Sequence, residues 1–274
     1  MPTSSCIGPK RAVATASAAE GPLDPTPLIS FRDVHKSFGP KHVLAGVSLD
    51  ILDGEVIFIV GASGAGKSVL IKHLIGLIRP DSGEIWLDDL EVSQLPERQM
   101  YPVRKRCAMV FQHATLFDSM SCVENVALPL RKHKSLSPNA ARSAAMDRLS
   151  QVHMAEFAER FPAELGDGMR KRVAIARALT LDPSFVLFDE PTTSLDPVSA
   201  RRVDRLIRSL SDELGVTCVV VSHDLVSIFD VADRIVMLYQ GHIKLLGTPA
   251  DFRNSQDPIV QQFINGRAQG PMEV

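Results

Sequence analysis

At 274 residues the chain is long enough for one large α/β domain or two small ones, and a core of that size needs no disulfides. Hydrophobic residues at 45%, charged residues at 23% and a formal charge of −2 describe an ordinary globular composition with no general pull toward nucleic acid, so no nucleic-acid partner is expected. No apolar run approaches the ~18–20 residues a membrane span needs, and residues 1–19 lack the continuous apolar stretch of a signal peptide. Cys6, Cys107, Cys122 and Cys218 show no CxxC spacing and read as free thiols in a reducing compartment, so the chain is expected in the cytoplasm, with any membrane role exercised through a partner.

In chain order, residues 1–27 are rich in Ala, Ser, Thr and Pro and are expected to form a flexible tail. Leu28–Val34 has a strand pattern, and Phe38 follows at a turn. Val43–Leu52 alternates, with Val47, Leu49 and Ile51 on one face. These predict an antiparallel β layer ahead of the short apolar strand Val56–Val60. Helix follows from Val69, and Arg79–Gly83 stops it. Strands are predicted at Glu84–Leu87 and Cys107–Phe111. Residues from about 113 to 178 read as an all-helical insertion. In it Pro129 is expected to bend or end a helix over Ser121–Lys132, Ser137-Pro138 opens another, and Arg131–Lys134 reads as a solvated helix end. Phe185–Phe188 and Val216–Val221 are continuous apolar strands separated by an amphipathic helix over Ser199–Leu214. Arg234–Tyr239 and His242–Leu246 make a closing hairpin around Gln240-Gly241. Apolar strands alternating with helices imply a largely parallel sheet covered on both faces.

Ligands of such sheets bind at the C-terminal ends of the strands. Four ends here carry catalytic residue types. Gly61-Ala62-Ser63-Gly64-Ala65-Gly66-Lys67-Ser68, followed by Val69, stands between a strand and a helix and matches GxxxxGK[ST]. Its backbone N–H groups would cradle a polyphosphate, Lys67 would bridge the β- and γ-phosphates, and the Ser68 hydroxyl would sit on Mg²⁺. Asp189 and Glu190 end a buried strand: Asp189 suits Mg²⁺ through water, and Glu190 suits a general base toward an attacking water. Gln112 is placed to touch that water or the metal. His223 follows Val219-Val220-Val221-Ser222 and could donate to the γ-phosphate. Phe38 is either a core aromatic or a residue that stacks on a purine.

From Leu28 to Leu246 the chain resembles an ABC transporter ATPase subunit, with the motifs in that family's order. Phe38 matches the adenine-stacking aromatic, Gly61–Ser68 the Walker A, Gln112 the Q-loop, Leu165–Met169 the signature loop, Phe185–Asp189 the Walker B, Glu190 the catalytic glutamate, Ser194-Leu195-Asp196 the D-loop and His223 the switch histidine. The resemblance implies an α/β fold: a P-loop NTPase core, an N-terminal antiparallel β layer and an α-helical subdomain, within one ATPase domain over 28–250 followed by a C-terminal extension over 251–274. It implies ATP and Mg²⁺ as ligands and a head-to-tail dimer. In that dimer Gly166, Asp167, Gly168 and Asp196 serve the nucleotide of the second copy. It also implies a membrane permease driven from the cytoplasmic face of the inner membrane. Met169, the run Met169-Arg170-Lys171-Arg172-Val173-Ala174, and the ending Asp257–Gly266 look like the Mla-type ATPases, which act with an MlaE-type permease and an MCE-domain lipid-binding protein. A small regulatory subunit is left open.

The signature loop departs from L-S-G-G-[QM]: Gly166 replaces the serine and Asp167 the first glycine. Asp167 is repulsive toward a triphosphate unless it turns away, for instance by capping a helix that begins near Met169. A weaker or slower dimer is expected. The alternatives are the ATPase of a small-solute importer, a soluble ATP-dependent clamp and a non-hydrolysing regulatory subunit. The intact Lys67, Ser68, Asp189, Glu190 and His223 weigh against the last.

Overall fold

The structure, a computed structural model, describes residues 27–272. The expected tail lies outside the described residues, except that Pro27 already opens the first strand. Strands β1 (Pro27–Phe38), β2 (Lys41–Leu52), β4 (Ser82–Leu87) and β5 (Leu90–Glu91) form an antiparallel sheet in the order β2-β1-β4-β5. Phe38 is the last residue of β1 rather than part of a turn, because its pairing with Lys41 continues the ladder.

The second sheet contains β3 (Val56–Val60), β6 (Cys107–Val110), β7 (Phe185–Asp189), β8 (Thr217–Val221), β9 (Arg234–Tyr239) and β10 (His242–Gly247), in the order β10-β9-β3-β8-β7-β6. All its pairings are parallel except the β9–β10 hairpin. Alternate residues of the apolar strands feed two cores. Phe58, Val186, Phe188 and Val220 pack beneath the helical layer, while Ile57, Ile59, Leu187 and Val219 pack against the antiparallel sheet and α1 (Lys67–Leu74). Each such side chain contributes about 1.5–3 kcal/mol by leaving water. Since both faces are apolar, polar–apolar alternation cannot fix the register of these strands. Gly61, Glu190 and Ser222 begin the loops that leave β3, β7 and β8 at neighbouring positions.

The insertion is helical, as expected: α3 (Cys122–His133), α4 (Pro138–Gln151) and α5 (Asp167–Ala178) pack on one another. Pro129 does not end α3, which runs on to His133. Ser121 and Glu124 form a capping box on α3, and Ser137 caps α4 through Ala140 N at 3.3 Å. Fully buried Asn125 fixes the segment before α3. It accepts from Phe117 N at 2.8 Å and donates to the Phe117, Met120 and Ser121 carbonyls. A helix that the sequence pattern does not announce, α2 (Glu97–Arg106), precedes β6; it contains Pro102 and has little apolar content, with Met100 and Val103 buried. Helices α6 (Pro197–Leu214) and α7 (Leu225–Val231) flank β8, and α8 (Pro249–Asn254) and α9 (Pro258–Ile264) close the described chain. Among the described residues no helix is long and apolar enough to cross a membrane.

Candidate active site

The sheet order β3-β8-β7-β6 puts four loops side by side: Gly61–Gly66 after β3, Ser222-His223 after β8, Glu190 after β7 and Phe111-Gln112 after β6. The loop after β3 is built on backbone that only glycine adopts easily. Gly61 has φ +139°, and a Cβ there would lie 2.2 Å from the Leu238 carbonyl oxygen; at Gly66, φ +100°, it would lie 2.8 Å from that of Val43. Helix α1 starts at Lys67, two residues before the predicted start, so its free N–H groups point into the loop. The Lys67 ammonium donates to the Gly61 carbonyl at 2.8 Å and the Ala62 carbonyl at 3.0 Å. Burial pushes its pKa down, opposed by the charges of Glu190 and Asp189.

Ser68 Oγ donates to Asp189 Oδ1 at 3.3 Å, joining the two predicted metal-binding residues. These are hard oxygen donors of the kind Mg²⁺ takes. Glu190 sits at φ +52°, uncommon for a non-glycine residue, and its N–H is anchored on the Val221 carbonyl at 2.9 Å. Its carboxylate receives Thr193 Oγ1 at 3.1 Å and lies 2.8 Å from His223 Nδ1. Lys67, Ser68, Asp189, Glu190 and His223 are thus brought together. Gln112 stands exposed at the end of β6, the strand beside β7. Phe38 is half exposed, not a core aromatic, and shares a cleft with Lys41, Gly64, Gly66, Lys67 and Val69. Lys36 Nζ stands 5.5 Å from its ring centroid and pairs with Asp81 at 2.7 Å.

Gly166, Asp167 and Gly168 line a different cleft, together with Ser194, Asp196 and Ser199. Asp167 does not cap α5. The helix begins two residues earlier than expected, with Gly166 as its N-cap, so Asp167 lies inside the first turn and pairs with Arg170 instead. Its carboxylate still suits the positive end of the helix dipole. Gly166 has an ordinary φ of −70°, and nothing lies within 4 Å of an added Cβ. No feature of this fold therefore requires glycine there.

Lys171 is a residue that motif reading passes over as part of a basic helix. It is 3% exposed, and its ammonium donates to the Phe111 carbonyl at 2.8 Å and the Gln112 carbonyl at 2.5 Å. Burial lowers its pKa to about 8, against the charges of Asp189, Asp167 and Glu190. A signal was present: Lys171 lies at i, i+4, i+8 spacing with Ile175 and Leu179, on the buried face of α5.

The comparisons with known proteins identify the family. The family model described as ABC transporter matches residues 44–193, more than half of the chain. The chain is 36% identical over 257 residues to the probable ribonucleotide transport ATP-binding protein mkl of Mycobacterium leprae, covering 94% of this chain and 74% of that protein. It is 38% identical to the intermembrane phospholipid transport system ATP-binding protein MlaF of Escherichia coli, covering 89% and 91%. Among solved structures, it is similar to the dimeric cassette MJ0796 in a post-hydrolysis state bound to ADP and Pi, at 31% identity and TM-score 0.73, covering 81% and 98%. It is also similar to cbiO1 of Clostridium perfringens, part of the cbiONQ transporter complex, at 26% and 0.79, covering 89% and 96%. A glycine loop, a paired serine and aspartate, and a glutamate beside a histidine stand on adjacent strand ends of a chain that matches these cassettes over most of its length: the chain belongs to the ABC transporter family, as one of its ATP-hydrolysing cassettes.

Proposed function

We propose that this chain powers the movement of phospholipid or a related lipid between membranes. It would do so by hydrolysing MgATP in a head-to-tail dimer docked on a membrane permease. What carries the cargo assignment is the 38% identity to MlaF over 91% of that protein, together with the Mla-like sequence around Met169 and Asp257–Gly266. A permease of the MlaE type and an MCE-domain carrier are the partners this reading requires, and it puts the chain on the cytoplasmic face of the inner membrane. The ATPase domain spans 28–250, with 113–178 as its helical subdomain and 251–274 as an extension.

In this reading the loop Gly61–Gly66, with Val69 behind it, wraps the phosphates, and Phe38 stacks on the base. Lys67 exchanges its two carbonyl contacts for β- and γ-phosphate oxygens. Ser68 and Asp189 would hold Mg²⁺, with Gln112 as a further oxygen donor, and the cation would supply charge neutralisation for the phosphoryl group. Glu190 takes the proton of the attacking water, and His223 orients that water and the γ-phosphate. Gly166, Asp167, Gly168 and Asp196 face the nucleotide held by the second copy. The cleft that Phe38, Lys67 and Ser68 share is separate from the one that Gly166–Gly168 and Asp196 line, which supports that division.

The test is to purify the chain with the membrane proteins that accompany it, reconstitute the complex between two vesicle populations, and follow labelled phospholipid. Transfer should depend on ATP. Transfer of a small solute but not of lipid would overturn the cargo assignment and leave the ATPase reading standing. A second expectation concerns the altered signature loop. Gly166→Ser with Asp167→Gly restores a hydroxyl and removes a carboxylate facing the second copy's phosphates. Steady-state phosphate release by the complex should then rise about threefold, or about 0.6 kcal/mol. An unchanged or lower rate would mean that Asp167, through Arg170, is not a brake.

A further inference from the structure

The helices that follow the D-loop segment and the histidine loop are tied to each other by a half-buried ionic cluster. Asp196 precedes α6 and caps it, accepting from Val198 N and Ser199 N at 3.0 Å each. Asp224 follows His223 and caps α7, accepting from Val226 N at 3.0 Å and Ser227 N at 3.4 Å. Arg201, in the second turn of α6, joins these points. Its guanidinium lies 2.5 Å from Asp224 Oδ2 and 2.9 Å from Oδ2 of Asp204, one turn further along α6. Ser227 Oγ lies 2.9 Å from an oxygen of each carboxylate and accepts from Arg201 Nη2 at 3.1 Å. A second tie lies two turns along: Arg208 Nη1 reaches Asp233 Oδ1 at 2.8 Å and the Val231 carbonyl at 3.3 Å. The segment from His223 to Asp233 is therefore fastened to α6 at both ends.

Stability alone does not explain this cluster. The Asp204 side chain is 5% exposed and its Oδ1 has no hydrogen-bond partner, while Arg201 Nη1 meets Asp204 Oδ2 at 2.9 Å as an ion pair outside hydrogen-bond geometry. A buried ion pair left partly unsatisfied is commonly matched or bettered by apolar side chains of similar volume. The two carboxylates also differ. Burial pushes Asp204 up to about 6, opposed by Ser227 and Arg201, whereas for Asp224 burial is outweighed by those same partners, which hold it below the usual carboxylate range. Arg201 thus serves Asp224 first, and Asp204 aims the guanidinium. What the cluster does achieve is a fixed relation between residues 196 and 224. The first lines the signature-loop cleft, and the second adjoins the histidine that touches Glu190.

We propose that Arg201 and Asp204 are positioning residues that lock the Ser194–Asp196 segment and His223 into one rigid body, so that displacement of that segment carries the imidazole toward or away from Glu190. This rests on the functional reading above, in which Ser194–Asp196 faces the second copy's nucleotide. Each site's histidine is thereby coupled to occupancy of the other site.

The test uses the full chain in complex with its membrane partners and compares Arg201→Lys, Arg201→Met and the apolar pair Arg201→Met with Asp204→Leu. Each is made in the parent and in the His223→Ala background, with kcat and KM measured for MgATP. The apolar pair removes the tie without stranding a charge on α6, so it carries the test if Arg201→Met alone fails to fold. Expected are a roughly tenfold fall in kcat with KM within twofold, substantial recovery with Arg201→Lys, and a fall of less than twofold when His223 is already absent. Equal falls in both backgrounds, or a folded apolar pair with parental kcat, would overturn the coupling alone. A parent complex with no ATP turnover would overturn the functional reading and the coupling with it.

Discussion

Glu190→Gln is expected to lower ATP turnover by about 10³-fold while leaving nucleotide binding within a few-fold of the parent. The amide has the shape of the carboxylate and can still receive Thr193 Oγ1, now 3.1 Å away, so the loop after β7 has no reason to rearrange. What is lost is a proton acceptor, and a positioned general base contributes typically 10²–10⁴-fold. Neither Lys67 nor the glycine loop depends on Glu190 for its backbone contacts, so binding survives. The measurement is phosphate release by the complex alongside equilibrium binding of ATP. A turnover within tenfold of the parent would show that another group takes the proton. Since bound ATP then persists, the variant should also be trapped as a dimer, a form seen in the similar cassette MJ0796; sizing with and without ATP reads this directly.

Lys171→Met is expected to have the second largest effect, and a double one. Methionine fills much of the lysine volume but leaves the Phe111 and Gln112 carbonyls without their charged donor. These acceptors are part-buried, so water can satisfy them in part, and the loss in stability is expected at about 1–2 kcal/mol, the lower end of what an unmade hydrogen bond costs. It should be visible as a lower midpoint in chemical denaturation. The same change frees the end of β6 from α5. Gln112 is then no longer held beside β7, and turnover should fall by at least tenfold. Lys171→Arg keeps a buried cation able to reach both carbonyls and should recover more than half of the lost stability. If Lys171→Met leaves midpoint and turnover unchanged, the clamp is a contact without consequence.

Much of this site was legible because its residues sit where one strand ends. A run such as Phe185–Phe188 is unmistakably apolar, and the first charged residues after it, Asp189 and Glu190, are necessarily at the sheet's edge. The parallel order then brings such edges together whatever their separation in sequence. Less legible was anything decided by a side chain's partner across space. Asp167 offered two geometries, a cap or a helical first turn, and only the position of the helix start chose between them. Neither Lys171 nor Asp204 stands out in the sequence, the first lying in a basic run and the second within the amphipathic stretch Ser199–Leu214. Each falls on the buried stripe of its helix, Asp204 among Ala200, Val203, Ile207 and Ser211. Periodicity could have exposed both, had the charged residue been asked why it lay on the wrong face. Helix α2 was missed for the opposite reason, since only Met100 and Val103 bury and leave no stripe to find.

The phosphate loop has an internal ligand of its own. Lys67 spends its ammonium on the Gly61 and Ala62 carbonyls, the backbone that will surround a nucleotide. An arriving phosphate therefore competes with an internal ligand at very high effective concentration, and the measured affinity is the difference between two sets of contacts. That difference works in both directions. After hydrolysis the same internal ligand is waiting to displace the product, so the loop returns to a satisfied state without unfolding. Weak retention of the spent nucleotide is therefore expected from the loop's own chemistry.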